Sequence, residues 1–253
     1  MDWYRGPLAS FDTETTGVDV ESDRIVSAAL VRQPSAGAPA EAVTWLADPG
    51  VPIPEQARAV HGISDERVRA HGRPARAVVT ELAAALAALA REAVPVVVMN
   101  APYDLTLLDR ELRRHRAGSL DEHLAGAELL VLDPRVMDKY VDRYRRGRRT
   151  LTDLCLHYGV DLEGAHDASA DAAASLELVR VLGARHPERL GALTPAELQL
   201  RQTVWHIAQA RGLQRWFDRS GTPERVDLSW PLRPARCSCG ERLGPHHRCE
   251  LAA

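Results

Sequence analysis

Two hydrophobic patterns alternate along the first 185 residues, and this alternation restricts the possible folds most strongly. Short apolar runs rich in β-branched residues indicate strands, whereas leucines three or four residues apart, with alanines between them, predict helices. The apolar runs predict five strands, at Leu8 to Asp12, Ile25 to Val31, Ala42 to Leu46, Val94 to Met99 and Leu129 to Leu132. With the predicted helices the order is βββαβαβαα, which is typical of an α/β domain with a mixed sheet and flanking helices.

The pattern changes near Pro187, so we expect the first domain to cover residues 6–187 and an extension to cover 188–253. Within the extension, Thr194-Pro195-Ala196-Glu197 provides an N-cap, a proline at the first helical position and an acidic partner, which together predict a helix start. The extension also carries large aromatic residues, Trp205, Trp216, Phe217 and Trp230. Two interpretations stay open: these rings pack on the first domain, or they bind a partner.

Composition and charge limit how the chain can bind nucleic acid or a membrane. The chain has 32 Lys and Arg against 35 Asp and Glu, a net charge of −3. It therefore lacks the basic excess that holds nucleic acid by bulk charge, and such binding would need a local patch or a metal. The N-terminal residues lack a signal-peptide pattern, and no apolar run approaches the roughly 20 residues of a membrane span. We therefore expect a soluble, cytoplasmic protein without membrane contact.

The end of the chain carries a cluster of cysteine and histidine residues. Cys237, Cys239, His247 and Cys249 supply enough soft ligands for one tetrahedral zinc ion. The spacing differs from the usual C-x-x-C pair, so a flexible tail with incidental thiols is the alternative interpretation.

Acidic residues stand where the predicted strands end and helices begin. Asp12 and Glu14 are two residues apart at a strand end, so their side chains leave the same face of the pleat. Asn100 closes the fourth predicted strand, and Asp104 lies in the first turn of the next helix. Asp171, on a late helix, can bring a fourth carboxylate to the same place. This set fits a two-metal phosphodiesterase site.

The ligand types and a nearby histidine complete this predicted site. Hard oxygen ligands without a zinc-like histidine pair favour Mg²⁺ or Mn²⁺. His166 precedes Asp171 by five positions, about 500° on a regular helix, so the two would not share a helix face. We therefore expect His166 on the loop before the helix, with Asp167 as N-cap. A histidine over the metals can accept a proton from the attacking water.

These motifs resemble those of the DEDDh exonucleases, the group that contains the proofreading epsilon subunit of bacterial DNA polymerase III. The resemblance covers roughly residues 6 to 185. The matching segments are Phe11-Asp12-Thr13-Glu14-Thr15-Thr16-Gly17, Val60-His61-Gly62-Ile63-Ser64, Asn100-Ala101-Pro102-Tyr103-Asp104 and Ala165-His166-Asp167-Ala168-Ser169-Ala170-Asp171-Ala172. The departures are Tyr103, where the family usually has Phe, and Pro102 just before it.

The resemblance implies a ribonuclease H-like fold with a mixed five-stranded sheet, and a metal-dependent 3′–5′ exonuclease that releases nucleoside monophosphates. It implies that two Mg²⁺ or Mn²⁺ ions are bound by four carboxylates, those of Asp12, Glu14, Asp104 and Asp171. It also implies His166 as the general base and substrate contacts from Thr15 and its neighbours; Asn100, within the second motif, is a further candidate.

A basic run precedes the third motif and can contact the substrate backbone. It reads Arg143-Tyr144-Arg145-Arg146-Gly147-Arg148-Arg149, and we select Arg145 and Arg146 as substrate-binding candidates. A solvated charged face is the alternative. His61 has two interpretations as well, a substrate contact or an ordinary residue near a helix start.

These features predict an enzyme that acts on single-stranded 3′ ends, of DNA more than RNA, in DNA repair or proofreading. An exoribonuclease or short-oligonucleotide nuclease is the alternative activity, because 2′-hydroxyl recognition depends on contacts outside the motifs. An inactive nucleic-acid-binding module is the alternative from another class. A polymerase partner and a free-standing enzyme both stay open.

Overall fold

The computed structural model describes residues 2–162 and 164–235, in which one mixed sheet is covered by helices on both faces. The sheet has six strands in the order β4-β3-β2-β1-β5-β6. The strands are β1 (Leu8–Thr15), β2 (Ile25–Gln33), β3 (Glu41–Asp48), β4 (Arg73–Pro74), β5 (Val96–Val97) and β6 (Val131–Leu132). The predicted α/β class and all five predicted strands are confirmed. The additional strand β4 has only two residues, too few for a hydrophobic alternation that the sequence could reveal.

Strand direction brings the predicted catalytic segments to one edge of the sheet. β1 pairs antiparallel with β2, and β2 pairs antiparallel with β3. β5 is parallel to β1, and β6 is parallel to β5. Because parallel strands end at the same edge, the C-terminal end of β1 and the segment after β5 lie side by side. This edge therefore receives the first and second motifs.

The strand lengths differ from the prediction: β1, β2 and β3 are longer than predicted, and β5 and β6 are shorter. β1 continues to Thr15 rather than ending at Asp12, because residues through Thr15 still pair with β2, with a register shift between Glu14 and Thr15. The predicted strand from Val94 to Met99 is reduced to the two residues of β5. Pro95 lacks an N–H to donate at the start of this segment.

Nine α-helices, counted over the described residues, surround the sheet. They are α1 (Glu55–His61), α2 (Asp65–His71), α3 (Ala75–Arg91), α4 (Asp104–Arg114), α5 (Leu120–Leu124), α6 (Pro134–Val141), α7 (Leu151–Tyr158), α8 (Ala168–Arg185) and α9 (Pro195–Ser220). Phe11 of β1 belongs to a core shared with α3 and α4, whereas Leu8 belongs to a second core shared with α7 and α8. β1 is therefore buried between helices on both faces of the sheet.

The C-terminal extension packs on the first domain, and Trp205 and Trp230 contact the core as one of the two interpretations predicts, whereas Trp216 is 55% exposed. Gln202 of α9 accepts a hydrogen bond from the Asp133 N–H (2.7 Å) and donates one to the Val131 carbonyl (2.9 Å). It thus satisfies backbone groups along the outer edge of β6. Trp230, after α9, is buried in the same core as Phe11. The predicted N-cap of α9 is confirmed, because the Thr194 side chain accepts from Glu197 N–H.

Two further sequence expectations concern the zinc candidates and membrane-spanning segments. The zinc candidates Cys237, Cys239, His247 and Cys249 lie outside the described residues. In the part of the chain that the structure describes, no helix combines the length and the apolar character needed to cross a membrane.

Candidate active site

The first pair of carboxylates comes from β1. Strand alternation directs Asp12 and Glu14 to the same face of the sheet, as their spacing predicted. Thr13 lies between them on the opposite face, and its hydroxyl donates a 2.6 Å hydrogen bond to Oδ1 of Asp104. One strand segment therefore supplies two carboxylates and orients a third.

The third carboxylate belongs to α4, which starts directly after the second motif. Asp104 is buried in the first turn of this helix, with 4% of its surface exposed. The turn before it includes Asn100 in the left-handed region, at φ 64°. Asp133 fixes this turn, because its carboxylate accepts hydrogen bonds from the N–H groups of Asn100 (3.2 Å) and Ala101 (3.1 Å).

Asp133 is a positioning residue that the motif analysis missed. Its carboxylate also accepts from the backbone of Arg135 at the start of α6, so it joins β6, α6 and the second-motif turn. The only sequence signal was an Asp followed by Pro134, which is typical of a helix start. That signal describes the local cap and not the contact with residues 33 positions away.

The fourth carboxylate and the histidine come from the start of α8. Asp167 is the N-cap, accepting from the N–H groups of Ser169 and Ala170, so this prediction is confirmed. His166 lies just before the helix at φ 70°, on the predicted loop. Its N–H donates to Oδ2 of Asp171 (3.3 Å). This local turn directs the imidazole back toward the carboxylate, although the two residues do not share a helix face.

The carboxylates from these elements are close enough to repel one another. Burial and the charges of neighbouring acids raise the pKa of Glu14 to about 8 and hold that of Asp12 well above its usual range. Burial is the main cause of a rise in the pKa of Asp104 to about 7, against the lowering effect of the Thr13 hydrogen bond. Burial also raises the pKa of Asp171. Without a cation these carboxyl groups therefore tend to hold protons near neutral pH, and a bound divalent cation would favour their ionised forms.

The donor set fits a divalent cation. One possible ligand atom from each of Glu14, His166 and Asp171 lies within 4.8 Å of the others. Oδ1 of Asp171 is buried and has no hydrogen-bond partner among the described residues. Such an atom is costly to bury unless another group satisfies it. With Asp12 and Asp104 beside it, the cluster is rich in oxygen ligands, which suit Mg²⁺ or Mn²⁺.

The structure places the predicted substrate contacts in different surroundings. Thr15 follows Glu14 at the site, and its hydroxyl bonds to the Gly17 carbonyl (2.7 Å) and the Tyr103 hydroxyl (2.6 Å). Tyr103, one of the two departures from the family pattern, also donates to the Gly17 carbonyl. The side-chain oxygen of Asn100 accepts from Arg135 (2.9 Å). Thr15 and Asn100 thus lie on adjoining segments of the edge that carries the carboxylates.

The two selected arginines of the basic run differ. Arg145 reaches the buried carboxylate of Asp138 (3.3 Å), which also pairs with Arg149 (2.6 Å) and accepts from the Tyr158 hydroxyl (2.9 Å). Arg146 is exposed. Arg145 and Arg149 therefore neutralise a buried charge, a structural role that the run of basic letters did not reveal.

His61 lines the cleft that contains Glu14 and His166. Its Nδ1 accepts from the Ile63 N–H (3.1 Å), and its Nε2 is buried without a hydrogen-bond partner among the described residues. Burial lowers its pKa, so a neutral ring is favoured. The residue thus lines the wall of the site. It also ends α1 just before Ser64, the N-cap of α2, so its local bond fits the helix-start interpretation as well.

Fold and site together define a class, the nucleases that gather carboxylates at one edge of a mixed α/β sheet. The model of the RNase T exonuclease family matches residues 10–179, and the chain belongs to this family. The site lies entirely within the matched region. This confirms the family resemblance and identifies the chain's class as that of phosphodiester hydrolases.

Curated relatives agree with this assignment. The chain is 30% identical over 187 residues to an uncharacterized exonuclease of Escherichia phage 186, covering 71% of this chain and 90% of the relative. It is 28% identical over 185 residues to a DNA polymerase III subunit epsilon of Treponema pallidum, covering 73% and 80%. A PolC-type DNA polymerase III of Lacticaseibacillus paracasei is 27% identical over 191 residues, 76% of this chain but only 12% of that protein.

Solved structures agree on the fold. An E. coli exonuclease I in complex with a dT13 oligonucleotide superposes with a TM-score of 0.60 at 19% identity. The match covers 72% of this chain and 42% of exonuclease I. The chain thus spans less than half of that protein, and the similarity concerns the shared nuclease fold.

Proposed function

We propose that the protein is a 3′–5′ exonuclease that hydrolyses the terminal phosphodiester of single-stranded DNA and releases nucleoside 5′-monophosphates. The main support for this proposal is that four carboxylates converge at one sheet edge, with His166 beside them. They belong to Asp12, Glu14, Asp104 and Asp171. Mutual repulsion among these acids favours cation binding. The proposed cofactors are two Mg²⁺ or Mn²⁺ ions.

The metals would supply a Lewis-acid charge that lowers the pKa of water and offsets the negative charge developing on the phosphate. The carboxylates hold this charge in place, with Thr13 fixing the orientation of Asp104. His166 is the proposed general base, accepting a proton from the attacking water at its imidazole nitrogen. Its backbone bond to Asp171 keeps the ring next to the cluster.

The substrate assignment rests on the residues around the carboxylates and on the comparisons with known proteins. Thr15 and Asn100 are proposed contacts to the terminal nucleotide, and Arg146 is a proposed backbone contact. DNA is favoured because the structural neighbour exonuclease I was solved with a DNA oligonucleotide. The relationship to a polymerase subunit supports a role in proofreading or repair with a polymerase as partner, and the proposed location is the cytoplasm.

The test is degradation of 5′-labelled single strands of DNA and RNA of equal sequence, with Mg²⁺, Mn²⁺ or EDTA. We expect a ladder that shortens from the 3′ end with either metal and no cleavage in EDTA. Asp12→Asn should abolish the ladder, whereas Asp121→Asn, an exposed carboxylate on α5, should not. Faster RNA cleavage would favour the exoribonuclease alternative. An intact Asp12→Asn activity would contradict the proposed site.

A further inference from the structure

A second surface lies between α6 and α9, separate from the carboxylates. The α6–α9 groove, as we name it, has a volume of about 590 Å³. Its walls include four cationic side chains and three aromatic rings. The cations are Lys139, Arg143, Arg211 and Arg215, and the rings are Tyr140, Tyr144 and Trp205. The family match does not explain this combination, because α9 lies beyond the matched residues 10–179. The candidate active site does not use these side chains either.

The groove's positive charge is not neutralised by the surrounding described residues. The structure shows no ion pair between any of the four cations and a described carboxylate, in contrast to Arg145 and Arg149 on Asp138. The pKa of Lys139 is lowered by burial and then by the charges of three arginines. The positive potential that disfavours the charged form of Lys139 also attracts anions.

One of the three rings supplies an open face beside these charges. Tyr144 is 85% exposed, with the Arg143 guanidinium 5.5 Å from the centre of its ring. Tyr140 and Trp205 stack on each other with ring centres 3.7 Å apart, and the Arg189 guanidinium lies 4.6 Å from the centre of the Tyr140 ring. These two rings form the wall of the groove, and Tyr144 is the ring that is open to a base. Cations that bind phosphates, interleaved with rings on which bases stack, are the pattern of sequence-tolerant single-strand binding. An acidic protein segment would use the charges but not the exposed ring.

The groove continues toward the candidate active site. Lys139 also lines a neighbouring cleft of about 280 Å³, whose walls include Asn100, Pro102 and Arg135. Asn100 and Pro102 belong to the turn that precedes Asp104. A strand that enters the carboxylate site can therefore follow one continuous surface past Arg135 and Lys139 into the groove.

We propose that the α6–α9 groove binds the single strand on the 5′ side of the terminal nucleotide, with arginines on its phosphates and Tyr144 stacked on a base. This inference rests on the proposed nuclease function for the identity of the ligand. It gives α9 a direct part in substrate binding, in addition to its support of the β6 edge.

Binding is measured on the full chain in EDTA, so that hydrolysis does not enter the result. The probe is a 5′-fluorescein-labelled dT20 strand, followed by anisotropy between 50 and 200 mM salt. Arg211→Ala/Arg215→Ala should weaken binding and reduce the slope of log K against log salt by about 1.4, at roughly 0.7 per phosphate contact. The matched control is Arg201→Ala/Arg219→Ala, which removes two exposed arginines of the same helix outside the groove.

The aromatic contribution is tested at the exposed ring. Tyr144→Ala should weaken binding about five-fold or more, and Tyr144→Phe should keep most of the affinity because stacking needs only the ring. Equal slopes for the two arginine pairs, or no effect of Tyr144→Ala, would overturn the proposal. Displacement of dT20 by polyglutamate as efficiently as by unlabelled dT20 would also overturn it, in favour of an acidic protein ligand.

These outcomes are separable from those for the nuclease. A chain that binds dT20 through the groove but produces no 3′ ladder with either metal keeps the groove and contradicts the exonuclease. A chain that produces the ladder, but whose groove variants bind dT20 as well as wild type, keeps the exonuclease and contradicts the groove.

Discussion

Asp104→Asn should stabilise the metal-free protein, and the gain should grow as the pH rises. Asparagine has nearly the same shape and keeps an oxygen to accept the Thr13 hydrogen bond. It removes the ability to carry a charge at a buried position beside other carboxylates. The substitution therefore isolates the electrostatic cost of the site from its packing.

The magnitude follows from the pKa of Asp104, which is raised from 3.8 to about 7 in the folded protein. Between these values the folded state binds more protons than the unfolded state, so stability falls as the pH rises. From pH 5 to pH 8 this one group removes about 2.5 kcal/mol from the free energy of unfolding, at about 1.4 kcal/mol per pKa unit. Loss of its repulsion on Asp12 and Glu14 acts in the same direction.

The assay is thermal unfolding in EDTA at pH 5, 6, 7 and 8. A gain of about 2.5 kcal/mol corresponds to about 5–10 °C in Tm for a domain of this size. Asp121→Asn, which removes an exposed carboxylate, is the matched control and should show a pH-independent difference. A constant difference between Asp104→Asn and wild type from pH 5 to pH 8 would refute the reasoning. Added Mg²⁺ should reduce the variant's advantage, because the wild-type cluster binds the cation better.

Three further changes test other parts of the structure. His166→Asn, which tolerates the positive φ, should lower the rate of hydrolysis by roughly 10²–10⁴-fold with little effect on strand binding in EDTA, whereas the exposed His157→Asn should leave both unchanged. Asp138→Ala leaves two arginines without their shared counter-charge and should cost about 3–5 kcal/mol, measured by denaturant unfolding. Gln202→Ala leaves two backbone groups at the β6 edge without partners and should cost about 1–3 kcal/mol for each one that water does not reach, with faster hydrogen exchange at Asp133.

The sequence was most informative where a site residue is fixed by its near neighbours. The two-residue spacing of Asp12 and Glu14 predicts a shared strand face, and the five-residue spacing of His166 and Asp171 predicts a loop and a cap. Both conclusions need only the geometry of strands and helices. The predicted end of β1 at Asp12 was wrong. The strand extends to Thr15 because of its pairing with β2, which the local sequence pattern does not show.

The sequence was least informative where a side chain is used by a distant part of the fold. A run of five arginines in seven residues does not show that Arg145 and Arg149 are drawn to one carboxylate. Asp133 looks like an ordinary helix cap until the second-motif turn is seen resting on it. These contacts depend on the tertiary packing of α6, which no spacing rule encodes.

The arrangement that makes the carboxylate cluster destabilising without a cation should also give it a high affinity for a divalent cation. Fixed geometry at Asp104, from Thr13 on one side and the Asp133-bound turn on the other, prevents the carboxylates from relaxing apart. Their repulsion is therefore retained in the folded chain and released when a divalent cation binds. By linkage, variants that stabilise the metal-free protein by removing a charge should bind Mg²⁺ more weakly. Stability in EDTA and metal affinity should then vary in opposite directions across Asn substitutions of Asp12, Asp104 and Asp171.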